Sequence, residues 1–226
     1  MCFSATASFT AATLLIPAGL YACKLAIDID LRYLPGALIP CIFGIQQGFE
    51  GIEWLAIHGN QADTVHLAAL GYLVFSHGFW PIWFPLTVFA IVQRPWAKKL
   101  LLVVTLLGAL FGMSLYVPLL LSPDMFSVTV IQGSIHYQTT LIYDQFFPRN
   151  VSRLIYLLIV AGPFWLCDLT EIRGSSGVIA LALLVTYWFY NYAFISVWCF
   201  FAAILSINII FMLRSIASKK LLKEKY

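Results

Sequence analysis

The chain has 226 residues, 62% hydrophobic and 10% charged, with a formal net charge of +3. A soluble domain is nearer half apolar and a quarter charged, so the composition excludes an ordinary soluble globular protein. The charge is small and forms no basic face, which excludes nucleic acid as a partner and leaves the lipid bilayer as the principal one.

In chain order, apolar runs of about 20 residues predict membrane helices. Seven are expected, at about 8–27, 36–57, 65–92, 99–121, 152–170, 175–191 and 194–214. The last two come from one long apolar run, Gly177 to Leu213, divided near Asn191-Tyr192; a single bent helix there leaves six. No positively charged region precedes the first run, so it is expected to stay in place and act as its own targeting signal. Of the 13 Lys and Arg, all but Arg149 and Arg153 fall after spans one, three and five or in the C-terminal tail. Positive residues mark the cytoplasmic face. The expected architecture is therefore an all-α, seven-transmembrane-helix bundle with the N-terminus outside and the C-terminus cytoplasmic. It forms one polytopic domain over residues 1–226, multi-pass in the cell inner (plasma) membrane.

Residues 122–150 are too long for a plain connection. Val128-Thr129-Val130-Ile131, then Gln132-Gly133-Ser134, then Ile135-His136-Tyr137 predict a β-hairpin. An open strand edge cannot cross lipid, so the hairpin is expected to cap the bundle from outside. Five cysteines are present without a CxxC pair. Cys2 and Cys199 fall toward the same side, but an odd count with scattered spacing is a poor disulfide framework. Several aromatics, among them Trp54, Tyr72, Trp96, Tyr116 and Tyr192, are expected at the membrane interfaces.

The residues that carry chemistry lie in spans two and three. Gln46, Glu50 and Glu53 stand at i, i+4, i+7 on one helix face. At roughly 1.5 Å per residue, Glu50 lies about 10 Å and Glu53 about 6 Å below the outer surface. Carboxylates there are costly and mark either a buried acid/base, proton or metal site, or a polar clamp between helices. Gly44, Gly48 and Gly51 allow a neighbouring helix to come close. His77 is expected near mid-membrane, four residues before Pro81. That proline cannot donate to the His77 carbonyl, and Pro85 repeats the defect, so Trp80-Pro81-Ile82-Trp83-Phe84-Pro85 predicts a kink with exposed carbonyl oxygens. The imidazole beside them forms a niche for water or a cation, or else makes one bond across the bundle.

His58 and His66 are expected at the outer surface, in water. His136 sits on the hairpin, either solvated or folded over the outer mouth. A metal site needs several of Glu50, Glu53, His77, His136 and Cys2 to converge, and no HxxxH or HExxH spacing supports one. Removal of Met1 would leave Cys2 with a free amine and thiol suited to nucleophilic chemistry. Ser4, Thr6 and Ser8 are natural caps for the first helix.

The opening Met1-Cys2-Phe3-Ser4-Ala5-Thr6-Ala7-Ser8-Phe9, the segment Gln46-Gln47-x-x-Glu50-Gly51-x-x-Trp54 and the Trp-Pro-x-Trp-x-Pro kink together resemble an uncharacterised family of bacterial multi-spanning membrane proteins. The resemblance is best over the first three spans and implies no activity. It singles out Cys2, Ser4, Gln46, Gln47, Glu50 and Trp54; Glu53 lies outside the pattern, which favours Glu50 as the functional carboxylate.

Some functions are excluded outright. The seventh span has no lysine, so retinal is excluded. No histidine follows His136, which removes the late-helix pair of ceramidase-like metal hydrolases. A haem carrier needs a second deep histidine beside His77. Two classes remain. One is a protein that binds, senses or transports a proton, small molecule or lipid at a polar site in the outer half. The other is an intramembrane hydrolase or transferase acting on a lipid or amphiphile, with Glu50 as acid or base assisted by His77 or Cys2. Cofactor and oligomeric state are not encoded legibly.

Overall fold

The computed structural model describes residues 4–189 and 194–224. Cys2 and the Asn191-Tyr192 break lie outside the described residues. The helices are α1 (Ala5–Ile29), α2 (Ile39–His58), α3 (Ala62–Leu73), α4 (Trp80–Ile91), α5 (Pro95–Leu121), α6 (Arg149–Ala161), α7 (Thr170–Phe189), α8 (Phe194–Ser206) and α9 (Asn208–Glu224). A π-helical turn, Val74–Phe79, joins α3 to α4, and a 3-10 turn, Gly162–Leu166, follows α6.

Among the described residues, four helices are long and apolar enough to cross a membrane: Ala5–Ile29, Ala62–Ile91, Pro95–Leu121 and Phe194–Lys220. The glutamate-bearing α2 is not one of them, because Gln46, Gln47, Glu50 and Glu53 lower its apolarity below theirs. The run expected as a fifth span is helical only to Ala161. It then tightens at Gly162-Pro163, where proline lacks the N–H that an α-helical bond requires.

Helix α1 begins at Ser4, whose Oγ accepts from the Ala7 N–H at 3.2 Å. Its buried residues, Ser8, Ala12, Leu15, Gly19, Ala22 and Ala26, recur every three or four positions as a stripe of small side chains. Such a stripe lets two backbones approach, and in lipid close packing replaces the hydrophobic effect as the driving force. Helix α2 lies against it: a Cβ added at Gly44 would meet Ile16 Cγ1 at 2.7 Å. Gly48, by contrast, faces open space. Near the far end of α1, Leu213 of α9 packs against Ala22 and Ala26. Just beyond α1, Arg32 donates to Asp30 at 3.0 and 2.8 Å, and these bonds hold the Asp30 carboxyl down at about 2.

The π turn is accommodated by glycines of α5. A Cβ at Gly112 would meet the His77 and Gly78 carbonyl oxygens at 2.9 Å each, and Gly108 sits against the Pro81 carbonyl. The carbonyls expected to open into a niche are therefore covered by α5 backbone. From α6, Tyr156 donates its hydroxyl to the Ser76 carbonyl at 2.7 Å.

Two antiparallel strands, β1 (Phe126–Ile131) and β2 (Ser134–Thr139), form the expected hairpin. Gln132 and Gly133 connect them with φ of 49° and 75°. Two positive φ values make the tight turn whose twist suits a two-residue hairpin. Ile135, Tyr137 and Thr139 are buried, so the hairpin lies down on the helices instead of standing off them.

Candidate functional site

Helix α2 is inverted relative to a soluble amphipathic helix. Gln46, Gln47, Glu50 and Glu53 are fully buried and Trp54 nearly so, while Ile45, Ile52 and Leu55 are exposed. A polar face turned inward is satisfied only by partners on other elements, since neither lipid nor water reaches it. Glu50 finds two. Ser8 Oγ from α1 donates to Oε2 at 3.3 Å, and Ser196 Oγ from α8 donates to Oε1 at 2.5 Å. One carboxyl group thus ties three helices together. The Gln46 Oε1 accepts from Trp80 Nε1 at 2.8 Å, with Trp80 stacked on Phe43. Gln47 packs beside Glu50. Glu53 Oε2 accepts from the Tyr137 hydroxyl at 2.6 Å, and the Tyr137 ring stacks on Tyr72 with centroids 5.0 Å apart. The second glutamate therefore anchors the hairpin to the helices.

Next to this polar core, under the hairpin, lies a separate cavity of about 130 Å³. Its polar lining includes His77, His136, Arg149, Ser152, Arg153 and Tyr156, and Tyr137, Trp198 and Cys199 complete one wall. His77 is buried, with Nδ1 2.9 Å from Ser76 Oγ. His136 lies 3.3 Å from Thr129 Oγ1 across the strand pair, and burial, with the Arg149 charge beside it, pushes its pKa below the ordinary histidine value. Arg149 donates to both oxygens of Asp144, at 3.2 and 2.8 Å, and to the Thr139 carbonyl. The Arg153 guanidinium lies 4.6 Å over the Phe194 ring.

The residues singled out in the sequence separate into these two places. Gln46, Gln47, Glu50, Glu53 and Trp54 belong to the buried α2 face; His77 and His136 line the cavity. Glu50 is not among the residues that line this cavity, whereas His77 is. Ser4 is a helix cap. Trp54 and Tyr72 are buried in the core, and Trp96 is exposed. His66 stacks on Phe126 of the hairpin at 4.6 Å. Among the described residues, no three of His, Cys, Asp and Glu gather as metal ligands.

Sequence reasoning passed over Arg149, Arg153, Ser152 and Tyr156 as site residues. A signal existed: the two arginines are the exceptions to the expected positive-inside distribution, four residues apart on one helix face. Ser8 and Ser196 carry no such signal, because their partner is 42 or 146 residues away.

Four helices of membrane-crossing length and apolarity mark the chain as a membrane protein. It belongs to a family of unknown function, DUF6629, whose family model covers residues 1–223. No curated protein and no solved structure matches it.

Two outcomes are expected. Glu50→Gln keeps an acceptor for one serine and a donor for the other, so its unfolding free energy in detergent should fall by less than about 1 kcal/mol; Glu50→Leu leaves both hydroxyls unpaired and should lose about 1–3 kcal/mol. Equal losses for the two would show that Glu50 is not a clamp. Second, the His136 imidazole should titrate below the ordinary histidine value by NMR, and Arg149→Ala should raise its midpoint. The folded pKa is depressed, so the unfolded chain takes the proton first. Stability from hairpin docking should therefore be intact above about pH 6.5 and decline as pH falls below it.

Proposed function

We propose that this is a multi-pass inner-membrane protein that binds a small amphiphile in the cavity beneath its hairpin, as a binding, sensing or transport component. The topology is seven spans with an outer N-terminus and a cytoplasmic C-terminus, which puts the hairpin and cavity on the outer side. The observation that carries the reading is the lining itself: ring nitrogens, guanidinium groups and hydroxyls from α4's π turn, the hairpin and α6 converge on one space. Ligand sites are concave, with a few convergent polar groups set among apolar walls.

A second cavity, of about 440 Å³, supports an amphiphile over a wholly polar ligand. It is walled largely by apolar side chains such as Phe43, Phe84, Val160 and Met212, and it shares Trp198 with the first. Along α8, Ile195, Trp198 and Cys199 face the polar cavity, and Ala202 and Leu205 face the apolar one. A head group held in the first would direct its chain past Trp198 into the second. An intramembrane enzyme that uses Glu50 with His77 is less well supported, because the carboxyl group is already engaged by two serines outside the cavity.

Binding is tested with fluorescently labelled single-chain amphiphiles of several head groups, on protein in zwitterionic nanodiscs. Saturable binding by at least one is expected, and Ser152→Phe, which fills the cavity from a small buried position, should weaken it at least tenfold. Absence of saturable binding across the set sinks the reading. For topology, a C-terminal fluorescent-protein fusion should glow and a C-terminal alkaline phosphatase fusion should be inactive; the reverse pattern would invert the orientation.

A further inference from the structure

We propose that the cavity under the hairpin receives the anionic head group of a single-chain amphiphile, a phosphate monoester or a carboxylate. This rests on the binding reading above and names its ligand class.

Charge is the first argument. Arg149 and Arg153 are the two cations that the orientation rule does not account for. Both line the cavity, one turn apart on the same face of α6. Like charges at that spacing repel, so an anion set between them stabilises the pair. Among the described residues, no Asp or Glu lines the cavity. Asp144, which meets Arg149, has both oxygens in use: each accepts from Arg149, and Oδ2 also accepts from the Leu141 N–H at 2.9 Å.

The second argument is the orientation of the donors. Arg149 is held at the rim by Asp144 and the Thr139 carbonyl, and Arg153 rests on the Phe194 ring. Asp144 engages the Nε and Nη2 donors of Arg149, which keeps that cation at the rim, and the Arg153 guanidinium held over the Phe194 ring is positioned to meet an oxyanion. His77 adds an independent observation. It is only 7% exposed and it lines the cavity. Its Nδ1 lies 2.9 Å from Ser76 Oγ, whose hydroxyl donates to the Leu73 carbonyl at 3.4 Å.

Size is the third argument. A cavity of about 130 Å³ has room for a head group and not for a long chain, while the larger apolar cavity shares Trp198 with it. The two together match one charged end and one alkyl chain.

The experiment uses the full chain in dodecylmaltoside and isothermal titration with dodecyl phosphate, dodecanoate, dodecylphosphocholine and inorganic phosphate. Dodecyl phosphate or dodecanoate should bind one to one, at least tenfold tighter than dodecylphosphocholine, which carries a compensating cation. The tighter of the two identifies the head group. Inorganic phosphate should bind at least tenfold more weakly; equal affinity would transfer the site to free phosphate and overturn the amphiphile assignment. Arg153→Gln should weaken the anionic probe at least tenfold and leave the affinity for dodecylphosphocholine within about twofold, and Arg153→Lys should recover part of the loss. If anionic and zwitterionic probes bind equally and Arg153→Gln changes nothing, the head-group proposal is overturned while the binding reading stands. If no probe binds saturably, both fall.

Discussion

The carboxyl group of Glu50 is the point on which the helical assembly turns. Helix α2 puts two glutamates and two glutamines on its inner face and isoleucine and leucine on its outer one. That helix is acceptable in an apolar surrounding only if other elements bring hydroxyls to it, and Ser8 and Ser196 do so from opposite ends of the chain. Small residues make the approach feasible: Ser8, Ala12 and Gly19 on α1, and Gly44 on α2, bring the backbones near enough for a serine to reach a short acidic side chain. The polar contact and the close packing are one constraint, because without the small residues the bond has no geometry and without the bond the buried charge has no partner.

From that clamp the rest of the site follows by adjacency. Ser196 lies on the same stretch of α8 as Trp198 and Cys199, so the helix that satisfies Glu50 also supplies one wall of the cavity. Glu53, one turn along, takes the Tyr137 hydroxyl and sets the hairpin over the opening. Tyr137 belongs to both regions: its oxygen meets the buried carboxyl group while the residue lines the cavity. The opposite wall depends on the π turn. One extra residue per turn at Val74–Phe79 aims His77 inward, and the displaced backbone is absorbed by Gly112 and by the Tyr156 hydroxyl. Irregular backbone is thus retained where it borders a cavity and is sealed elsewhere by close packing.

How far each part was legible follows from the distance over which its cause acts. Periodicity placed Gln46, Glu50 and Glu53 on one face, because helical spacing is a local property. The alternation around Gln132-Gly133 announced the hairpin for the same reason. His77 beside Pro81 marked the distorted stretch of helix, although the π turn and its covering by α5 did not show in the residues. That His77 lines the cavity and Glu50 does not is a tertiary matter. Both are deep polar residues, but α2 and the π turn face different neighbours, and depth alone carries no azimuth.

The amino-acid sequence by itself determined that the chain is mostly helix of membrane-crossing apolarity, that one helix has a polar face, and that a two-strand hairpin interrupts the pattern. These depend on composition and on contacts within a few residues. Only the tertiary structure decided that Glu50 closes a three-helix clamp while Arg149, Arg153, His77 and His136 surround a separate cavity. Which side chains meet is set by helix rotation and by serines and tyrosines tens of residues away, and no local pattern encodes that.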